Sequence, residues 1–125
     1  MGTQLTVLVA DDHEVYRALL RTLFESFGCT VTTVEDGAKA VAAIGPFDLI
    51  CLDRHMPVCD GVAAAKRLAG SAFLVACTSD PGPGLDDFDL VLTKPISCAA
   101  ICNALDAAQG WRALHTERSY GAGGA

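Results

Sequence analysis

The sequence predicts an α/β domain, a parallel sheet covered by helices on both faces, and three observations carry that prediction. Short apolar runs rich in Val, Leu and Ile alternate with longer segments whose apolar residues recur at helical spacing, the pattern of successive βα units. Four of the runs end in a residue able to do chemistry. Val7-Leu8-Val9-Ala10 precedes Asp11-Asp12, Leu49-Ile50-Cys51-Leu52 precedes Asp53, Phe73-Leu74-Val75-Ala76-Cys77 precedes Thr78, and Leu90-Val91-Leu92-Thr93 precedes Lys94. Glycine, proline and small polar residues punctuate the junctions between these segments.

Taken in order, the first strand is expected over Thr6 to Ala10. Val15, Leu19, Leu20, Leu23, Phe24 and Phe27 then recur at helical spacing, and Gly28 is a natural C-terminal stop. Cys29 to Val34 reads as the second strand. Asp36 can cap a helix from Ala38 to Ile44, which Gly45-Pro46 terminates. The third strand runs from Asp48 to Asp53, followed by a loop from Arg54 to Asp60 and a short helix from Gly61 to Ala69. Gly70-Ser71 leads into the fourth strand, Phe73 to Cys77, and the fifth is expected over Phe88 to Leu92. Between them, Asp80-Pro81-Gly82-Pro83-Gly84 replaces the helix a parallel crossover normally holds, leaving at most one turn from Gly84 to Asp87. Ser97 stands where an N-cap belongs, ahead of a last helix carrying Ile101, Leu105 and Ala108 on one face. Residues after Leu114 offer little to bury and are expected to fray.

Size and composition narrow the function classes. The chain has 125 residues, 51% apolar and 19% charged, which suits one compact domain and excludes wholesale disorder. The net charge of -6 and nine scattered Lys and Arg argue against a nucleic-acid surface. No apolar run reaches membrane-spanning length and no leader pattern opens the chain, so the expected address is cytoplasmic, with no membrane partner. Of six cysteines, Cys51 and Cys77 lie inside strands as small buried hydrophobes, and Cys98 and Cys102 lack a partner pair at zinc spacing. All six are expected to be reduced, with Cys59 the most exposed thiol.

In an open parallel sheet the carboxyl ends of the strands share one edge, where ligands bind. Asp11, Asp12, Asp53, Thr78 and Lys94 therefore converge there. Three carboxylates and one ammonium sum to -2, which one divalent cation neutralises, and hard oxygen ligands suit Mg2+ or Mn2+. Singly, each residue has a plainer reading: Asp11 with Glu14 as a capping box, Thr78 as a turn residue, Lys94 as a solvated lysine. Four such features at four strand ends, in one order, favour the joint reading.

These motifs resemble the receiver domain of two-component response regulators and hybrid histidine kinases. The matching stretches are Val7 to His13, Phe47 to Asp53, Met56-Pro57-x-x-Asp60-Gly61, Thr78-Ser79 and Lys94-Pro95-Ile96. The resemblance runs from about Leu5 to Ala108. It implies a receiver domain over residues 1–116 with 117–125 a disordered tail, and a doubly wound, flavodoxin-like five-stranded sheet of order 2-1-3-4-5 with its fourth helix reduced or missing. By resemblance Asp53 is the phosphoacceptor, Asp12 a direct magnesium ligand, Asp11 a ligand through water, and His55 a ligand through its backbone carbonyl. Thr78 and Lys94 contact the phosphoryl oxygens, and Lys94-Pro95 is cis. The implied partner is a histidine kinase or a histidine phosphotransfer protein, docking on the first helix and the loops around the site. The chain itself is no enzyme beyond its own phosphorylation and dephosphorylation.

Departures from the family pattern shape the expected role. Val91 stands three residues before Lys94, where many receivers carry a Tyr or Phe that changes rotamer on phosphorylation. With the helix between strands four and five also lost, the expectation is phosphoryl relay or docking with weak conformational output. His55, two residues past Asp53, is at a position the family links to hydrolysis rate. Three other functions compete. A haloacid-dehalogenase-type hydrolase wants a second Asp two residues after the nucleophile, where this chain has His55, and a nucleophile on the first strand. A flavin binder needs a phosphate loop that Asp11-Asp12 would repel. A non-phosphorylated interaction module does not need the acidic set.

Overall fold

A computed structural model describes the backbone of residues 4–124 and the side chains of residues 4–115. Met1 to Thr3 and Ala125 lie outside the described residues. The elements follow as β1 (Thr6–Ala10), α1 (Glu14–Ser26), β2 (Thr30–Val34), α2 (Gly37–Ala42), β3 (Leu49–Leu52), α3 (Gly61–Leu68), β4 (Phe73–Thr78), β5 (Leu90–Thr93) and α4 (Cys98–Gly124). All five strands are parallel, in the order β2-β1-β3-β4-β5.

Period-two alternation sorts the strand residues between two cores. Val7, Val9, Leu49, Cys51, Phe73, Val75 and Cys77 face Leu20 and Phe24 of α1 and Ile101, Ala104, Leu105 and Ala108 of α4. Leu8, Ala10, Ile50, Leu52, Leu74 and Ala76 face Ala40 of α2 and Ala64 and Ala65 of α3. Strands buried on both faces must be continuously apolar, as β3 and β4 are. Phe24 is fully buried at the centre of the first core, and cutting it to Ala would cost about 3–5 kcal/mol.

Helix ends follow the sequence signals in most places. Gly28 takes φ +89 after α1, and its N–H donates to the Glu25 carbonyl. Asp36 and Asp60 cap α2 and α3 by accepting from the N–H groups of Lys39 and Ala63, both at 2.8 Å, and Ser97 Oγ accepts from Ala100 N at 3.1 Å. At α1 the cap is His13, whose Nδ1 accepts from Tyr16 N at 3.3 Å. No capping box forms from Glu14; Asp11 Oδ1 instead accepts the His13 N–H at 2.9 Å.

Three expectations need correction. α2 stops at Ala42 because Ala43 is already extended (ψ 139), so Ile44 is left outside and exposed. β5 begins two residues late, since Phe88 N closes a turn onto the Leu85 carbonyl and the Asp89 carboxylate takes the N–H of Leu74. Cys98 and Cys102 are the exposed residues, whereas Cys59 is half-buried within the loop that precedes α3. The helical assignment of α4 runs on to Gly124.

The crossover from β4 to β5 holds no helix: one turn at Asp86-Asp87 is all that forms between Asp80 and Asp89. Lys94-Pro95 is cis, as expected, and Gly45-Pro46 is cis as well.

Candidate functional site

Backbone bonds just past the strand ends set the geometry of the site. Asp11 N donates to the Val34 carbonyl at 3.2 Å and Asp53 N to the Ala10 carbonyl at 3.0 Å, which extends the ladder by one residue and sets the two aspartates side by side. Lys94 N likewise donates to the Thr78 carbonyl at 2.9 Å. Behind Asp53, Gly61 opens α3 so close that a Cβ there would run into the Asp53 carbonyl oxygen.

Lys94 Nζ lies 2.9 Å from Asp11 Oδ2 and 2.9 Å from Asp53 Oδ2. All three side chains are largely buried, at 14%, 1% and 12% exposure. Burial works against the Lys94 ammonium, but its hydrogen bonds to Asp11 and Asp53 outweigh that and hold its pKa above the ordinary lysine value. Asp12 is exposed, yet one of its carboxylate oxygens lies within 4.8 Å of oxygens from Asp11 and Asp53. Among the described residues this is the one cluster of three metal-ligating side chains.

The donor set suits a hard divalent cation. Three carboxylates against one ammonium leave a charge of -2 in a half-buried pocket, and such a deficit asks for a cation. Asp11 has both oxygens engaged, one by His13 N and the other by Lys94, whereas Asp53 Oδ1 has only a long 3.4 Å approach from His55 N. The less committed oxygens thus belong to Asp12 and Asp53.

Thr78 ends β4 fully buried, and its Oγ1 accepts the Asp80 N–H at 3.1 Å. The His55 side chain turns away from the carboxylate cluster: its Nε2 lies 2.7 Å from Asp80 Oδ2. That bond, with a further one from Gly82 N, holds the Asp80 carboxyl below its ordinary pKa. Of the strand-end residues the sequence singles out, the three aspartates and Lys94 lie together here, and Thr78 closes β4 beside Lys94 in the ladder; their supports were not foreseen.

Arg54 is one support. Its guanidinium donates to the carbonyls of Asp80, Gly82 and Pro83, filling donor positions that a helix would otherwise supply. A sequence signal existed, because a Pro-Gly segment without a helix leaves carbonyls in want of a forked donor, and Arg54 adjoins Asp53. Tyr16 is the other, with its ring centroid 4.2 Å from Lys94 Nζ and its hydroxyl accepting the Ile96 N–H at 2.8 Å. Its helical spacing marks it only as a core-facing residue.

Comparison with known proteins agrees with this geometry. The family model for the response regulator receiver domain matches residues 7–80. A two-component response regulator of Oryza sativa subsp. japonica is 33% identical over 111 residues, covering 74% of this chain and 85% of that protein. The sensor protein GacS of Pseudomonas syringae pv. syringae is 36% identical over 110 residues, covering 73% of this chain but 12% of its own length. Among solved structures, the receiver domain of a sensor histidine kinase from Pseudomonas aeruginosa PAO1 superposes with a TM-score of 0.78 at 24% identity, covering 86% of this chain and 99% of that one; that protein has a magnesium ion coordinated in its active-site cleft. The sequence match, the strand order and the strand-end acids meet on a single conclusion, that this chain belongs to the response regulator receiver domain family.

Proposed function

We propose that the chain accepts a phosphoryl group on Asp53 from a phosphohistidine donor, a histidine kinase or a histidine phosphotransfer protein, in a Mg2+-dependent reaction. The observation that carries this reading is Lys94, 2.9 Å from both Asp11 and Asp53 in a pocket that Asp12 completes. An Asp53 oxygen attacks phosphorus, the new P–O bond forms as the donor's P–N bond breaks, and the imidazole leaves. Aspartate is a weak nucleophile, so alignment and charge stabilisation carry the rate. Lys94 supplies a fixed ammonium beside the reacting carboxylate, and the Thr78 hydroxyl supplies a donor once it turns from Asp80 N. Asp12 and Asp53 would hold the magnesium directly, with the His55 backbone carbonyl, and Asp11 through water. The metal, when bound, supplies charge neutralisation for the phosphoryl oxygens. The chain turns over no external substrate.

The donor's docking surface is the outer face of α1, where Val15 and Leu19 are 71% and 43% exposed and Ala18 lies between them. A four-helix phosphotransfer partner can lay an apolar stripe against it and bring its histidine over Asp53. Relay or docking is favoured over strong output by three features: Val91 in place of a swinging aromatic, the missing helix between β4 and β5, and the Arg54 clamp on that segment.

Incubation with Mg2+ and acetyl phosphate should add one phosphoryl mass by intact mass spectrometry, and Asp53→Asn should take none; an unmodified wild-type protein overturns the reading. Amide spectra with and without a beryllofluoride mimic test the weak output, which shift changes spread through residues 80–105 would refute.

A further inference from the structure

The phosphoacceptor reading leaves one question of aim. Lys94 is a flexible point charge on a four-carbon stem at the end of an edge strand, and such a stem has many rotamers. Asp11 and Asp53 attract its ammonium, but that attraction alters when Asp53 becomes phosphorylated and a cation enters. A neutral group that fixes the ammonium through those changes would have to contact it from outside the carboxylate set. Tyr16 does so.

Tyr16 meets the Lys94 segment twice. Its ring face lies 4.2 Å from Nζ, within cation–π range, and its hydroxyl accepts the N–H of Ile96 two residues further on, at 2.8 Å. The ring packs against the core between the sheet, α1 and α4, so it is not free to follow a wandering lysine. Its own placement derives from the acidic strand end: Asp11 Oδ1 accepts from His13 N, His13 Nδ1 accepts from Tyr16 N, the Tyr16 ring faces Lys94, and Lys94 returns to Asp11 Oδ2. These four contacts close a circuit around the pocket.

We propose that Tyr16 is the positioning residue for Lys94, its ring holding the ammonium aimed between Asp11 and Asp53 before a donor arrives and its hydroxyl fixing the turn behind it. A charge already in place needs no reorganisation during transfer, so its loss appears in the rate of phosphorylation. This deepens the phosphoacceptor reading and, for its rate effect, rests on it.

The test combines a spectroscopic and a kinetic readout. The Lys94 ε-methylene protons should resonate upfield of those of Lys39 and Lys66, both exposed, because Nζ, one bond away, lies over the Tyr16 ring. Tyr16→Phe should keep that shift and slow phosphorylation by acetyl phosphate about twofold, whereas Tyr16→Leu should lose it and slow the reaction about tenfold. Tyr16→Met serves as a second aliphatic variant if Tyr16→Leu fails to fold. The proposal is overturned by a wild-type Lys94 resonance at the ordinary lysine position, by an aliphatic variant reacting within twofold of wild type, or by Tyr16→Phe as slow as the aliphatic variants. If wild type shows the upfield shift but takes no phosphoryl group, the phosphoacceptor reading falls and the placement of Lys94 by Tyr16 stands.

Discussion

His55 and Asp80 face each other across the mouth of the acidic pocket, Nε2 to Oδ2 at 2.7 Å, and so join the loop after β3 to the loop after β4. Asp80 N also donates to Thr78 Oγ1, and His55 N approaches Asp53 Oδ1 at 3.4 Å, so the bridge ties together both sides of the reacting centre. Cutting the bridge frees both loops beside Asp53 and would let water in more readily. His55→Ala should therefore shorten the lifetime of the Asp53 phosphoryl group about threefold, roughly 0.6 kcal/mol in barrier. Release of inorganic phosphate from purified phosphoprotein measures this; an unchanged lifetime removes the imidazole from the mechanism, and a longer one overturns its protective role.

Asp12 is the carboxylate of the cluster that Lys94 does not reach, which separates its electrostatic cost from its ligand role. Without metal, Asp12→Asn relieves repulsion and should raise the melting temperature by about 2–4 °C. In millimolar Mg2+ the order should reverse, because wild type gains binding energy that the variant lacks. Thermal melts in chelator and in Mg2+ check both signs; a variant still stabilised by Mg2+ as strongly as wild type would exclude Asp12 from the metal site.

Arg54 donates to three carbonyls of the segment that stands in place of a helix. Arg54→Ala leaves these groups to water and should cost about 1–3 kcal/mol of stability, with charged donors at the upper end. Amide exchange should quicken selectively over residues 80–88. Uniform quickening would mean that Arg54 supports the whole fold instead of this segment.

Cys51 and Cys77 face each other inside the core, Sγ to Sγ 2.7 Å, both wholly buried. Their hydrogen bond, and then burial, raise the Cys51 thiol well above the ordinary value of 9.0. Well below pH 9.0 the thiol is neutral in folded and unfolded chains alike, so stability there is flat with respect to it. Above that pH the unfolded chain ionises while the folded one resists, and stability falls as the pH rises toward the raised folded value. Cys51→Ala should weaken this alkaline loss between about pH 9 and 10.5, measured by urea unfolding in reducing, metal-free buffer. An unchanged slope would show that the thiol does not contribute.

The strands were legible because β1, β3 and β4 must be apolar on both faces, and Val7 to Ala10, Leu49 to Leu52 and Phe73 to Cys77 say so without reference to any partner. Caps at Asp36, Asp60 and Ser97 were legible in the same way, since a side chain three residues from the N–H it serves is a local matter. Boundaries failed where a distant group decided them. Asp89 starts β5 late by bonding Leu74. At α1 the miss is local: His13 caps the helix in place of a Glu14 capping box, because Asp11 accepts the His13 N–H and His13 Nδ1 takes that of Tyr16.

The sequence by itself determined which polar residues stand at the strand ends: Asp11, Asp12, Asp53, Thr78 and Lys94 follow or close apolar runs, and parallel pairing brings strand ends to one edge. Tertiary structure alone decided how they are held. Lys94 reaches Asp11 across 83 positions of chain, Tyr16 accepts from Ile96 across 80, and Arg54 clamps Gly82 across 28. Such contacts leave no periodic trace in the chain, because the packing of α1 and of the β4–β5 crossover against the sheet sets their distances.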